Sequence, residues 1–423
     1  MAQGSSAAFG NYLRVLRERR RFSLLDVSRL TRSSPRFIDK GTLSRFERGQ
    51  QRISVQSLIP LSRIYAVPAE VLLERLELDT ELDGLNGPDT EGKTYAELRR
   101  LGKDALFGKS RKWDAYGFFR DALQRAQDGQ GVEDGEDRDQ LRAIAQTNLA
   151  TVARSLGRNR LALHELLEVE DAGGIGAAYA PILLDRIANC YRCLDRWEMA
   201  DRYVDASITQ ASALRDKRAL AYAYYSRASL TILRGDYRQG IDLLREAFRA
   251  HRDSTEGRSI VAPNPTFEVD ALLKLSDAYL HLKWHERAGR AALAAKSLAT
   301  RAALPGEQAY SEIALGEVDE LTGRAERALQ RWTRAAQVAK AIHNKRLGFI
   351  AEFCVFRRAV IDGHNSLARA SRTRLERLEP WIPTHLPELA AFDELCTRNL
   401  LHCRTRPERN GRPRRREDGV TEA

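Results

Sequence analysis

Residues 38–49 read Ile-Asp-Lys-Gly-Thr-Leu-Ser-Arg-Phe-Glu-Arg-Gly, and the expected fold is built outward from them. Asp39, Leu43 and Phe46 recur at helical spacing, which puts the two apolar side chains on one face. Gly49 stands where such a helix stops, because glycine enters the left-handed conformation without a Cβ penalty. Lys40, Thr42, Ser44, Arg45 and Arg48 fall between the apolar positions and point outward, and Gln50 and Arg52 follow directly. A short helix with a buried seam and an outer face of hydroxyls and cations suits a DNA major groove. There arginine and lysine bond guanine edges or phosphates. These seven polar residues are the expected DNA contacts. The plainer alternative is a solvated helix in any small helical domain, and the flanking sequence weighs against it.

Leu43-Ser-Arg-Phe-Glu-Arg-Gly49 resembles the "L-S-x-hydrophobic-E-x-G" end of the recognition helix in Cro/repressor-type (XRE) helix-turn-helix domains. The likeness extends over roughly residues 9–76. Phe9, Leu13 and Leu16 match a first helix, about 7–20, that ends in Arg19-Arg20-Arg21. Residues 23–30 match the helix that crosses the DNA backbone, and Ile53 to Pro68 match the fourth helix and the entry to the fifth. The resemblance implies a five-helix, lambda-repressor-like domain over residues 1–78. One departure stands out. The stretch from Ser23 to Leu43 is longer than usual in the family and holds Ser33, Ser34 and Pro35, so the turn is enlarged. Arg17, Arg19, Arg20 and Arg21 are expected to meet phosphates or to be solvated at a helix C-terminus, where cations are favoured.

A chain of 423 residues is long enough for two or three domains. It shows no apolar run long enough to span a bilayer and no signal sequence, so a cytoplasmic protein without membrane contact is expected. Five cysteines fit a reducing compartment. Residues 1–63 hold thirteen Arg or Lys against four Asp or Glu, and residues 404–423 hold seven Arg against four acids. These two stretches account for the whole net charge of +11. Positive charge gathered at one end is what nucleic-acid binding requires.

Residues 79–93 are acidic, rich in Gly and contain Pro88, and they read as a linker. From 94 to about 380 the chain repeats. Ala162, Ala200, Gly240, Ala288, Ala328 and Ala368 mark small positions early in successive second helices. Twelve residues before them stand Ala150, Ala188, Ala228, Ser276, Gly316 and Phe356, with a helix break between each pair. Small residues on two antiparallel helices permit close packing, and a period near forty marks a solenoid. The one longer interval contains Pro263-Asn264-Pro265, a loop insertion. The pattern resembles the tetratricopeptide repeat (TPR), most closely at Leu194 to Ala200 and Gly235 to Gly240. Residues 94–126, with Trp113, read as a degenerate first unit. A helix at about 387–403 is expected to cap the 94–403 array, and 404–423 reads as a disordered basic tail.

In such arrays the first helix of each unit lines a concave groove. The resemblance places Thr151, Asn189, Ser229, Asp277, Glu317 and Arg357 there, flanked by Arg154, Arg192, Tyr222, Tyr225, Tyr310 and Phe353. Hydrogen-bonding heads on aromatic and polar bodies suit an extended peptide or a small polar ligand. Solvation of the inner wall is the plainer account of the same residues. Cys190 and Cys193 form a C-x-x-C without a second pair, and His281 and His285 lack the H-E-x-x-H context. No phosphate loop, dinucleotide fingerprint or nucleophile elbow is present, so neither an enzyme nor a cofactor or metal is expected.

The sequence therefore reads as an all-α regulator: an XRE-like reader of double-stranded DNA joined to a TPR-like solenoid. This resembles bacterial peptide-sensing regulators, and the resemblance implies a homodimer with a peptide or protein in the groove. The alternative is a protein–protein adaptor whose helix-turn-helix is a docking tether without operator specificity.

Overall fold

Six tight turns of the same geometry set the architecture. Gly157, Asp195, Gly235, Lys283, Gly323 and Gly363 all take positive φ, between 58° and 87°. Each ends one helix and reverses the chain into the next. Asp236 N–H, for example, bonds the Thr231 carbonyl at 3.2 Å, and Arg324 N–H bonds the Asp319 carbonyl at 2.7 Å. Four of the six use glycine, while Asp195 and Lys283 carry a Cβ through the left-handed region at a cost of about 1–2 kcal/mol.

The computed structural model describes residues 7–34, 36–85, 87–108, 111–129, 131, 137–255, 266–379, 382 and 386–398. Among these there is no strand, and no helix is long and apolar enough to cross a membrane. Pro35, the 263–265 insertion, Trp381 and the 404–423 tail lie outside the described residues. The N-terminal module comprises α1 (Ala7–Arg19), α2 (Leu24–Leu30), α3 (Lys40–Glu47), α4 (Val55–Tyr65) and α5 (Ala69–Gly84). Helices α6 (Tyr95–Lys103) and α7 (Lys112–Asp128) make a first hairpin around a π turn at Asp104–Gly108. Next come α8 (Arg138–Ser155) with α9 (Asn159–Ala172) and α10 (Ala180–Cys193) with α11 (Trp197–Ala213). The array continues with α12 (Lys217–Leu233), α13 (Tyr237–Thr255), α14 (Thr266–His281) and α15 (His285–Arg301). It ends with α16 (Pro305–Leu321), α17 (Ala325–Ala341), α18 (Lys345–Ile361) and α19 (Asn365–Leu378), covered by α20 (Pro387–Arg398).

The small positions are buried where paired helices cross. Ala150, Ala162, Ala188, Ala200, Ala228, Ser276, Ala288 and Ala328 are at most 1% exposed. At Gly316 the reason is plain: a Cβ there would sit 2.3 Å from Nε1 of the fully buried Trp332. The one large residue in the series, Phe356, packs its ring on Phe392 of α20 at 5.4 Å, which is how the capping helix is seated.

The linker expected at 79–93 is corrected. Residues 79–84 are the end of α5, and Asp79 and Leu82 are buried. Beyond them the chain forms a strap across α7. Thr90 Oγ1 donates to Asp121 at 2.5 Å, and Pro88 fits over Gly117, where a Cβ would meet it at 2.7 Å. The Gly, Asp and Pro content of this stretch supplies turn conformations, not freedom.

The N-terminal module is fixed to the solenoid. Arg75 of α5 lies between the rings of Tyr12 on α1 and Tyr116 on α7, at 4.8 and 5.8 Å. It pairs with Asp79 at 2.8 Å, and the Tyr116 hydroxyl donates to the same carboxylate at 3.0 Å. Glu74 of α5 accepts from Leu161 N–H at 2.9 Å, capping α9, whose own cap residue Arg158 has no side-chain cap bond. Arg19 reaches Glu168 of α9 at 2.5 Å.

A Gly316→Ala protein should be less stable by roughly 1–3 kcal/mol, because a methyl is forced into a packed ring. Urea denaturation of both forms measures it, and an unchanged midpoint would refute this account of the small positions.

Candidate DNA-reading helix and solenoid groove

Helix α3 is held by its two ends. Asp39 is its N-cap and not part of its apolar face: the carboxylate accepts from Thr42 N–H at 3.0 Å and the Thr42 hydroxyl at 2.6 Å. At the other end Gly49 has φ 67°, its N–H bonds the Phe46 carbonyl at 3.0 Å, and Gln50 N–H bonds the Arg45 carbonyl at 2.8 Å. Leu43 and Phe46 are buried. Helix α1 lies so close that a Cβ on Gly10 would stand 2.4 Å from the Phe46 carbonyl oxygen. Lys40, Arg45, Arg48, Gln50 and Arg52 are exposed, while Thr42 and Ser44 are half-buried. Arg45 is held against this surface by its Nε bond to Gln51 at 2.8 Å and its Nη2 bond to Thr42 at 2.9 Å. The enlarged turn is pinned by buried Thr31, whose hydroxyl donates to the Ser28 carbonyl at 2.9 Å and accepts from Ile38 N–H at 3.1 Å. It leaves Arg32, Arg36 and Phe37 exposed beside α3, a set the sequence reading did not single out.

The arginines ending α1 do other work than expected. Arg17 clamps Glu47 of α3 through two bonds, at 2.7 and 2.9 Å, and donates to the Phe22 carbonyl. Arg20 bonds the Tyr65 carbonyl at 3.0 Å, and Arg19 holds the solenoid. Three of the four are structural ties, because each donates to an acceptor that the folded chain supplies, although Arg19 and Arg20 stay exposed.

In the solenoid, the inner helices α8, α10, α12, α14, α16 and α18 carry the predicted groove residues. Asn189 donates to Ser226 Oγ and the Asp185 carbonyl, each at 2.9 Å, and accepts from Arg192 at 3.2 Å. Ser229 is buried, and burial pushes the neighbouring Tyr225 phenol up. Thr151 only back-bonds to its own helix, at 2.8 Å from the Thr147 carbonyl. Asp277 lies 3.7 Å from Lys274 and 3.6 Å from His281. Arg357 pairs with Glu320 at 2.5 Å and lies over the Trp332 ring. Burial raises Glu317 to about 7, with Arg357 opposing. Phe353, expected to flank the groove, is instead 4% exposed in the terminal core.

The reading missed the groove's other charges. They sit three, four or seven residues before the predicted positions on the same helices: Asp185, Arg186, Asp270 and Lys274. Helical periodicity would have found them. Burial raises Asp270 to about 7; Glu307 adds to the shift, and Lys112, Lys274 and Arg154 oppose it. Lys112 of α7 lies within electrostatic reach of Glu307 on α16 and Arg346 on α18, so the array curls until its start faces its end. A second cavity, about 80 Å³, lies on that seam between Lys112 and Arg158 on one side and Tyr310 and Arg346 on the other. Glu81 of α5 joins the two sides, 3.7 Å from Arg158 and 3.5 Å from Lys345. The C-x-x-C is divided: Cys190 is fully buried, which raises its thiol to about 12. Among the described residues no group of His, Cys, Asp and Glu could hold a metal ion.

Residues 8–76 match the helix-turn-helix domain family. The N-terminal module is a helix-turn-helix domain. No curated protein matches the chain. Among solved structures, a Rap protein complexed with Competence and Sporulation Factor is 12% identical, with TM-score 0.52 over 72% of this chain and 77% of that one. At that identity the likeness is one of fold, and it makes the C-terminal array a TPR-like solenoid. A tetratricopeptide-sensor STAND protein of Pyrococcus horikoshii is 15% identical over 85% of this chain, with TM-score 0.49. The chain spans about half of that protein, 52%. PlcR of Bacillus thuringiensis, solved with the peptide PapR7 and DNA, is 13% identical over 79% of this chain and 95% of that one, with TM-score 0.32.

Removing the Arg17 clamp with Arg17→Ala strands Glu47 in the helix-turn-helix core. The protein should lose about 2–3 kcal/mol, toward the low end for a broken buried pair because the site is partly wetted. Urea melts check this. The Asp270 carboxyl titrates near 4 when unfolded and near 7 when folded, so the native state keeps a proton that the unfolded chain has lost. Stability should therefore fall as pH rises from about 4 to 7. In Asp270→Asn that fall should be shallower, as read by melting temperature against pH; an unchanged slope would count against it.

Proposed function

We propose that the chain is a sequence-specific DNA-binding transcriptional regulator whose solenoid dimerises and binds a peptide or protein partner that modulates DNA binding. The observation that carries this reading is the exposed α3 surface. Lys40, Arg45 and Arg48 face outward from a helix-turn-helix domain whose opposite side is locked to the solenoid. Lys40, Thr42, Ser44, Arg45, Arg48, Gln50 and Arg52 supply phosphate and base-edge contacts in a major groove of double-stranded DNA. As in XRE-type readers, two copies would engage half-sites about one helical turn apart. The proposed setting is the bacterial cytoplasm.

The groove is the sensor. Asn189, Arg192, Tyr225, Ser229, Asp277, Glu317 and Arg357 offer donors, acceptors and aromatic faces along one wall, with Thr151 at its N-terminal end. The Rap-like fold supports a ligand there, since that neighbour is itself complexed with a factor. Coupling runs through Glu81. An occupant that opened or tightened the curl would change the Lys345–Glu81 distance and so the seat of α5. A ligand that prefers one curvature shifts the population of DNA-competent molecules.

The test is binding of the full-length protein to duplex from its own promoter region against scrambled duplex, with a Lys40→Ala, Arg45→Ala double variant. The wild type should prefer its own duplex by at least about 10³-fold, and the double variant should lose that preference. Equal, salt-erased binding to both duplexes would sink the operator-reader claim and leave the adaptor reading in its place.

A further inference from the structure

At the N-terminal end of the groove, α6, α8 and α10 enclose a cavity of about 170 Å³. Four cations line it: Arg99 and Lys103 from α6, Arg154 from α8 and Arg186 from α10. A single carboxylate, Asp185, lines it with them, and that group is already engaged. It accepts from the Ser226 hydroxyl at 2.5 Å and from the Asn189 amide at 3.3 Å. Positive charge is thus in excess around this partly open cavity. The crowding is felt by Lys103, which desolvation, Arg99 and Arg186 together push down to about 8.

Three donors here are buried without an acceptor among the described residues: Arg99 Nε, Arg154 Nε and Asn148 Nδ2. Asn148 is held by the bond its oxygen accepts from Arg186, at 3.3 Å, so it is Nδ2 that remains available. Water can satisfy such buried donors, but only an anion supplies the acceptors and offsets the neighbouring cations together. A carboxylate has two oxygens and about four lone-pair sites, enough for all three donors. The remaining walls choose the rest of the ligand. Phe107, Ile144 and Ile182 are apolar, and the Tyr222 ring completes that side. At about 30 Å³ per water, the space holds five or six waters, the bulk of one amino-acid-sized acid.

We propose that this cavity is a carboxylate subsite that receives an acid group borne on an apolar residue. The reading that the groove takes a ligand underlies this. Two sources share the chemistry: the free C-terminus of a peptide lying along the groove, and a small hydrophobic acid on its own. The subsite would fix one end of the occupant against α6 and α10, the hairpins next to the helix-turn-helix domain.

Calorimetry on the full-length protein tests it with three probes: Ala-Ala-Leu, its C-terminal amide, and N-acetyl-leucine. The free acids should bind, and the amide should bind at least about tenfold more weakly. Lys103→Gln should weaken acid binding by a similar factor, and Lys103→Arg should restore it; both should melt as the wild type does. Tighter binding of the tripeptide than of N-acetyl-leucine identifies the peptide source, and the reverse order the small acid. Equal binding of acid and amide, or no saturable binding of any probe, overturns the subsite. Operator preference is measured without probe, so the two readings fail separately. An operator preference without acid binding sinks the subsite alone, and acid binding without operator preference sinks the regulator alone.

Discussion

The buried pair of Arg75 and Asp79 is the constraint on which the arrangement of the two domains depends. Both side chains are within 6% of full burial, and a charge left unpaired at such a depth costs several kcal/mol. The pair is satisfied only when α1, α5 and α7 come together. Tyr12 supplies one ring face, Tyr116 the other and a hydroxyl, and Arg120 stands 3.8 Å from the Asp79 carboxylate. Pulling the helix-turn-helix domain away from the solenoid would strip Arg75 of the Tyr116 face, and Asp79 of the Tyr116 hydroxyl and of Arg120. The two domains therefore form one body, with α5 as their shared element.

Much else follows from α5 being shared. Its Glu74 caps α9, and its Glu81 meets Arg158 and Lys345 where the solenoid's beginning and end approach each other. The two Glu81 ion pairs are only partly exposed, but each is long, at 3.7 and 3.5 Å, and is worth about 1 kcal/mol. The strong interaction fixes the helix-turn-helix domain to the first repeats, and the weak ones tie α5 to the distant repeats. Opposed charges meet across the lumen, with Arg154 and Lys112 acting on Asp270. Rigid attachment at one point and soft closure at another is the physical basis of the coupling proposed above.

Several assignments were legible because their causes are local. The stop at Gly49 and the six positive-φ turns each need only a few neighbouring residues. The small positions were legible too, since the repeat displays one packing requirement many times over, and Phe356 departs from it because α20 puts a ring there instead. The misreadings share a different cause. Residues 79–93 have the composition of a linker, yet Thr90 and Pro88 find partners on α7, a helix no local rule connects to them. Phe353 falls at a groove spacing but turns into the terminal core, where α20 closes over it.

What the sequence determined by itself was the all-α class, the hairpin period, the helix-turn-helix pattern and the concentration of positive charge at the N-terminal end. Periodicity, turn conformation and composition are properties of contiguous residues, so they can be read along the chain. Tertiary structure alone decided how individual charges are used. Arg17, Arg19 and Arg20 look alike in sequence to Arg45 and Arg48, yet the first three reach Glu47, Glu168 and the Tyr65 carbonyl on other elements, while the other two bond only within α3 and the turn that follows it. Arg99, Arg154 and Arg186 likewise come from three different helices and share a cavity only because the solenoid stacks them. An ion's role depends on the distance to its partner and on the water excluded around it, and both are set by residues far away in the chain.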